Sequence, residues 1–194
     1  LKFCAVGRQP TEEELLELLP GCAGYLAGVE PITRKALEAA GTLEVISRNG
    51  TGIDNIDLSA AQELGVRVER AAGANARGVA ELTTGLLFTL ARGIAANDAA
   101  LKQGRWERSR GIELQGKTLG VVGCGVIGRL VSQLACGIGM QVLAYDVVET
   151  PGFMPSDRFR YAPLEAVLAQ ADFVSLHCPP QPGNAALLDA AAFG

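Results

Sequence analysis

Apolar and polar positions alternate with changing period along the chain, and each change of period marks an element. Thr11-Glu12-Glu13-Glu14 has the spacing of a capping box, and Leu15, Leu16, Leu18 and Leu19 follow it. That predicts a helix, which Pro20-Gly21 stops. Residues 24–29 read as a short strand. Thr33 caps a second helix that Gly41 ends. Residues 43–47 form a strand that opens into a glycine-rich loop, 48–55. Residues 57–64 are a helix closed by Gly65, and residues 66–68 are another strand. Short strands alternating with helices imply a parallel sheet covered by helices.

A longer helix follows over residues 79–101, with Val79, Leu82, Leu86, Leu90 and Ile94 at helical spacing. Residues 104–116 are polar and irregular. The pattern then restarts with a strand at 118–122, and a strand–helix–strand–helix–strand order runs to Leu176. The boundary between two α/β units lies near the long helix.

The composition adds exclusions. Hydrophobic residues make up 48%, enough for a packed core, and the net charge of −4 supplies no surplus cation for a phosphate backbone. Nucleic acid is therefore not an expected partner. The five cysteines (4, 22, 124, 136 and 178) are odd in number and none forms a C-x-x-C pair, and there is one histidine. This excludes a zinc site of common spacing, so no metal is expected, and it argues against a disulfide scaffold. A reducing cytoplasm fits best. No run of 18 apolar residues is present, so no membrane partner is expected.

The chemistry concentrates in residues 118–128, Thr-Leu-Gly-Val-Val-Gly-Cys-Gly-Val-Ile-Gly. Gly123, Gly125 and Gly128 form G-x-G-x-x-G between an apolar strand and an amphipathic helix carrying Leu130, Val131, Leu134 and Ile138. In that frame the first glycine permits the tight turn, the second leaves room for a pyrophosphate, and the third lets helix and strand pack closely. The helix N-terminus offers free N–H groups and a positive dipole end to the phosphates. The next strand, 141–145, ends in Asp146, eighteen residues past Gly128, where a ribose-binding acid belongs. A 2′-phosphate beside that carboxylate would bring like charges together, and Val147-Val148 offers no offsetting arginine. NAD is favoured over NADP.

Four segments together resemble one family, the D-isomer-specific 2-hydroxyacid dehydrogenases of the phosphoglycerate-dehydrogenase type. Residues 46–57, Ile-Ser-Arg-Asn-Gly-Thr-Gly-Ile-Asp-Asn-Ile-Asp, are similar to the family's substrate loop. Residues 75–81, Asn-Ala-Arg-Gly-Val-Ala-Glu, resemble its interdomain segment. Gly116-Lys-Thr-Leu-Gly120 leads into the dinucleotide turn as it does there. Ser175-Leu-His-Cys-Pro179 is similar to the family's stretch on the nicotinamide side.

The resemblance implies an α/β fold of two doubly wound parallel-sheet domains flanking a cleft, the second a Rossmann dinucleotide-binding domain. Residues 1–80 would be part of the substrate domain and 81–194 part of the NAD-binding domain. It implies that the backbone amides of Asn49, Gly50 and Thr51 hold the substrate carboxylate. Arg48 joins that set, with a solvated loop cation as the competing reading. Thr51 and Val79 would lie near the nicotinamide, Val126 and Ile127 along the pyrophosphate, and Asp146 on the adenosine ribose. His177, Cys178 and Pro179 would wall the adenine side. The family's catalytic arginine, glutamate and histidine fall past Gly194, so His177 is read as a cofactor-wall residue and not as the catalytic base.

Two departures from the family pattern bear on substrate. Phosphoglycerate-specific members carry an arginine after the strand matching residues 24–27, and this chain has Gly28 there. Residues 180–184, Pro-Gln-Pro-Gly-Asn, replace the usual threonines of a later loop. The implied activity is hydride transfer between NAD and C2 of a D-2-hydroxy or 2-oxo acid, with 3-phosphoglycerate among the candidate acids. The competing reading is an NAD-binding corepressor of the same fold. The surplus of apolar residues on the long helix (Leu82, Leu86, Leu87, Phe88, Leu90) points to a homodimer, or to a helix sandwiched between two domains of one chain.

Overall fold

The computed structural model describes residues 1–4, 7–107, 110–179 and 186–188. The chain divides into two compact units, Leu1–Asn75 and Ala76–Gly194. The boundary read from sequence, at 80/81, falls inside the helix that opens the second unit.

In the first unit, α1 (Glu12–Leu18) begins at a complete capping box. The Glu14 amide donates to Thr11 Oγ1 at 3.3 Å, and the Thr11 amide donates to Glu14 Oε2 at 2.9 Å. Strand β1 (Gly24–Ala27) leads to α2 (Arg34–Ala40), which is capped by Thr33 and ended at Gly41 with φ +61°. Strand β2 (Val45–Arg48), helix α3 (Leu58–Glu63) and strand β3 (Arg67–Arg70) complete the unit. The three strands are parallel, in the order β1-β2-β3. Leu15, Leu19, Ile32, Ile46 and Ile56 form the centre of their core, each contributing about 1.5–3 kcal/mol by leaving water. Parallel strands end at one edge of a sheet, so residues 28–30, 48–55 and 70–75 gather there. Strand β1 stops two residues earlier than its apolar run suggests. The backbone turns at Gly28, whose amide donates to the Glu30 carboxylate at 2.9 Å.

The second unit opens with α4 (Ala76–Arg92) and α5 (Ile94–Lys102). The single helix expected over 79–101 is two helices meeting at 66°. Gly93 separates them in the left-handed conformation, φ +60°, which side chains with a Cβ avoid. Leu82, Leu86, Leu90 and Ile94 are exposed, while Ala76, Ala80, Leu87 and Ala91 are buried. The small residues let α4 lie close to the helix after the glycine turn, a packing that larger side chains would prevent. Apolar periodicity located a helix here, and the face it buries is carried by Ala76, Ala80, Leu87 and Ala91.

Strand β4 (Thr118–Val122), helix α6 (Val126–Gly137), strand β5 (Gln141–Tyr145), strand β6 (Phe159–Tyr161), helix α7 (Leu164–Gln170) and strand β7 (Phe173–Leu176) follow. β6 was not anticipated. It is only Phe-Arg-Tyr, too short to show a period of its own, and it is defined by pairing with β5. All four strands are parallel, in the order β6-β5-β4-β7. Successive crossovers run one way from β4 to β6 and the other way to β7. Such a reversal opens a crevice at the carboxyl ends of the strands, where ligands bind in doubly wound sheets. Leu119, Val121, Val131, Met140 and Val142 form the core beneath it. Among the described residues no single helix is long and apolar enough to cross a membrane; α4 and α5 meet the test only as a bent pair.

Candidate functional site

The glycine turn leaves β4 at the reversal point, and each of its glycines is required for a different reason. Gly123 has φ +93° and donates its amide to the Tyr145 carbonyl at 2.8 Å. A Cβ there would stand 2.6 Å from the backbone of His177 and Cys178. A Cβ on Gly128 would overlap the Gly123 carbonyl oxygen. Gly125 has no atom within 4 Å of its missing Cβ. The protein itself therefore does not require glycine at 125, whereas a ligand lying against the turn would. Gly125 is the N-cap of α6, with no side-chain cap and no acidic residue in the first turn. The amides of Val126 and Ile127 and the positive end of the helix dipole thus face an open, uncompensated space, which fits a pyrophosphate.

Asp146 directly follows β5 beside this turn. Its Oδ2 accepts the Cys124 amide at 2.6 Å and its Oδ1 accepts the Val148 amide at 3.1 Å. Each oxygen keeps lone-pair capacity for a diol. Val147 and Val148 are strongly exposed immediately after it, apolar surface next to an acid. Three residues that the sequence reading passed over hold the segment behind Asp146. Arg129 Nη1 donates to Thr150 Oγ1 at 2.7 Å, and Tyr161 Oη accepts the Thr150 amide at 3.2 Å. Arg129 follows Gly128 directly, so its place could have been read from the motif. Tyr161 lies on the unanticipated strand β6 and had no local signal.

His177 follows β7, and its amide donates to the Val122 carbonyl at 2.7 Å. Its Nε2 lies 2.9 Å from Ser175 Oγ. Burial pushes its pKa below the usual imidazole value, so it is neutral at pH 7. Cys178 is half-buried and Pro179 exposed. The 180–184 loop lies outside the described residues. Val79 is half-buried near the start of α4.

In the first unit, the loop after β2 is fixed by its own backbone. The Asn49 amide donates to the Ala27 carbonyl at 2.8 Å, and the Gly50 amide donates to the Arg48 carbonyl at 2.8 Å. The first extends the β1–β2 ladder and the second closes a tight turn. Of the three amides expected to face a substrate carboxylate, two are thus engaged within the unit, which leaves that of Thr51. The Thr51 hydroxyl donates toward Asn75 Oδ1 at 3.0 Å and the Ala71 carbonyl at 3.3 Å. Arg48 is half-buried rather than solvated. Its Nη1 donates to the Asn49 carbonyl at 2.6 Å, and its Nε is buried with no partner among the described residues. Gly28 lies at the end of β1, where its Cβ would meet Glu30 Oε2 at 2.7 Å. Glu30 is 3% exposed and accepts from Tyr25 Oη at 2.5 Å. Burial, with the Glu30 carboxylate second, pushes the Tyr25 phenol well above its ordinary value. A carboxylate therefore stands where the resemblance sought an arginine.

Residues 84–194 match the family model of the D-isomer specific 2-hydroxyacid dehydrogenase NAD-binding domain. The chain belongs to that family. It is 38% identical to human D-3-phosphoglycerate dehydrogenase over 182 residues, covering 92% of this chain and 34% of the relative. It is also 38% identical to hydroxypyruvate reductase of Thermotoga maritima over 171 residues, 87% of this chain and 55% of that protein. The apo-structure of D-lactate dehydrogenase from Escherichia coli superposes with a TM-score of 0.80 at 31% identity, covering 94% of this chain and 59% of that one. The chain thus spans about a third to somewhat over half the length of these relatives. The Rossmann fold and the NAD-binding assignment of the second unit rest on the same matches.

Proposed function

We propose that the protein is an NAD-dependent oxidoreductase acting at C2 of a small D-2-hydroxy or 2-oxo acid. The observation that carries the reading is the open cradle at Gly125, in a unit that matches the family's NAD-binding domain. When bound, the dinucleotide carries the hydride. Gly123, Gly125 and Gly128 shape the turn, and the amides of Val126 and Ile127 bind the pyrophosphate. Asp146 accepts the ribose hydroxyls and disfavours a 2′-phosphate. His177, Cys178 and Pro179 form a wall on the adenine side, and neutral His177 does not serve as the acid. Residues 1–80 contribute to the substrate domain and residues from 81 onward to the NAD domain. Thr51 and Arg48 meet the substrate carboxylate, and Thr51 and Val79 stand near the nicotinamide.

The Glu30 carboxylate next to Gly28 favours acids without a phosphate, because a phosphoryl group there would meet like charge in a poorly solvated place. The exposed Leu82–Leu86–Leu90 stripe of α4 supports a homodimer through the second unit. Five free cysteines support a reducing compartment such as the cytoplasm. The test is NADH oxidation by the full-length protein with a panel of 2-oxo acids, followed by determination of the product's configuration. D-2-hydroxy acid formation at ordinary enzymatic rates supports the reading. NADH binding without turnover of any 2-oxo acid would favour a binding protein on the same fold.

A further inference from the structure

The segment after β5 poses a physical problem. Asp146 must point steadily at a ligand, yet Val147, Val148 and Glu149, which follow it, are exposed and bury nothing that would anchor them. A loop of this kind opens easily unless hydrogen bonds hold it. The structure supplies such bonds at Thr150, where two side chains from different elements converge.

Tyr161, at the end of β6, accepts the Thr150 amide at 3.2 Å. Arg129, in the first turn of α6, donates to Thr150 Oγ1 at 2.7 Å, and its guanidinium carbon lies 6.0 Å from the centre of the Phe153 ring. The Phe153 amide closes on the Thr150 carbonyl at 3.2 Å. Phe153, Phe159 and Tyr161 stack edge to face with centroids 5.1 Å apart in each successive pair. Cys124, in turn, donates its amide to Asp146. The glycine turn, the acid and the loop behind it form one connected run: Cys124 to Asp146, Asp146 along the chain to Thr150, and Thr150 to Tyr161 and to Arg129 of α6.

We propose that Tyr161 and Arg129 are positioning residues that clasp Thr150 and thereby hold Asp146 in the orientation that reads the cofactor's ribose. The inference rests on the assignment of Asp146 as the ribose acid. It places the NAD-over-NADP preference partly on residues that touch no part of the ligand. A clasp of hydrogen bonds pre-organises the carboxylate, so its contribution shows in affinity for the ribose diol and not in the stability of the unit. The aromatic trio would survive loss of the phenolic hydroxyl, which separates the clasp from simple packing.

The experiment uses the full-length protein and titrates NADH and NADPH by nicotinamide fluorescence against wild type, Tyr161→Phe and Thr150→Val, each also in an Asp146→Asn background. Tyr161→Phe and Thr150→Val should each weaken NADH about two- to tenfold, the range of one neutral hydrogen bond. NADPH binding should change less, so the preference between the two narrows. In the Asp146→Asn background both effects should vanish, because a cycle through a shared partner is not additive. The apo melting temperatures of both single variants should stay close to that of wild type. Unchanged NADH affinity in Tyr161→Phe, or the same loss with and without the Asp146 carboxylate, overturns the clasp. Wild type that binds no NADH overturns the ribose assignment itself.

Discussion

The amide of Cys124 donates to the carboxylate of Asp146 at 2.6 Å, joining the middle of the glycine turn to the end of the neighbouring strand. The two residues are 22 positions apart, and neither could hold its place without the parallel pairing of β4 with β5. The bond fixes the distance between the glycine turn, proposed to face the phosphates, and the acid proposed to face the ribose. Removing the acid therefore has two consequences, loss of a ligand contact and loosening of the turn.

Asp146→Asn keeps an acceptor for the turn while removing the charge. It should weaken NADH about ten- to a hundredfold, the value of about 1.5–3 kcal/mol for a hydrogen bond to a charged group. NADPH should weaken less, or improve. Parallel isothermal titrations with the two cofactors check this, and wild type that binds both equally would remove Asp146 from the ribose.

Stability should separate the three glycines. Gly123→Ala and Gly128→Ala place a Cβ against backbone, and overpacking of this kind costs about 1–3 kcal/mol, with further strain at the positive φ of Gly123. Gly125→Ala meets no atom, and its melting curve should match that of wild type. Comparable losses at all three positions would mean that Gly125 serves the fold.

His177 gives a signed pH dependence. Burial lowers its folded-state pKa below the unfolded value near 6.5, so between those two values the unfolded chain binds more protons. Stability then rises with pH through that window and falls as the solution is acidified from about pH 6.5. Replacing His177 with Gln should flatten the melting temperature over pH 5–7. In the full-length protein, if it turns over 2-oxo acids as proposed, the same variant should alter NADH affinity while the pH profile of kcat keeps its shape. A profile that loses its histidine limb would make His177 the acid.

The buried Glu30 predicts substrate discrimination. The full-length protein should turn over 2-hydroxy acids with uncharged tails in preference to 3-phosphoglycerate, and Glu30→Gln should raise the ratio of kcat/KM for the phosphorylated acid about tenfold or more. A wild type that prefers 3-phosphoglycerate contradicts this.

Much of the second unit was legible because its signals are local. The strand before Gly123, the three glycines and the acid at 146 each follow from a period or a spacing, and β4 and β5 have the bounds that their apolar runs gave. The features that the sequence did not show are those fixed by tertiary contact. The face of α4 depends on how closely α6 approaches it, and Ala80 and Ala91 carry little hydrophobic signal. β6 exists because β5 offers an edge. In the first unit, the resemblance gave the Asn49 and Gly50 amides to a substrate carboxylate, whereas the β1–β2 ladder and a tight turn engage them within the unit. Glu30 could not be placed from sequence, because its burial depends on Tyr25 and Gly28 folding around it.

The most direct test of the account is the binding of NADH to wild type and to Gly125→Val, followed by nicotinamide fluorescence, with circular dichroism and melting curves confirming the fold of both. A branched side chain at the open cradle would fill the place proposed for the pyrophosphate. The account predicts saturable NADH binding to wild type and none in Gly125→Val, with the two proteins equally folded. Undiminished NADH affinity in a folded Gly125→Val protein would contradict it.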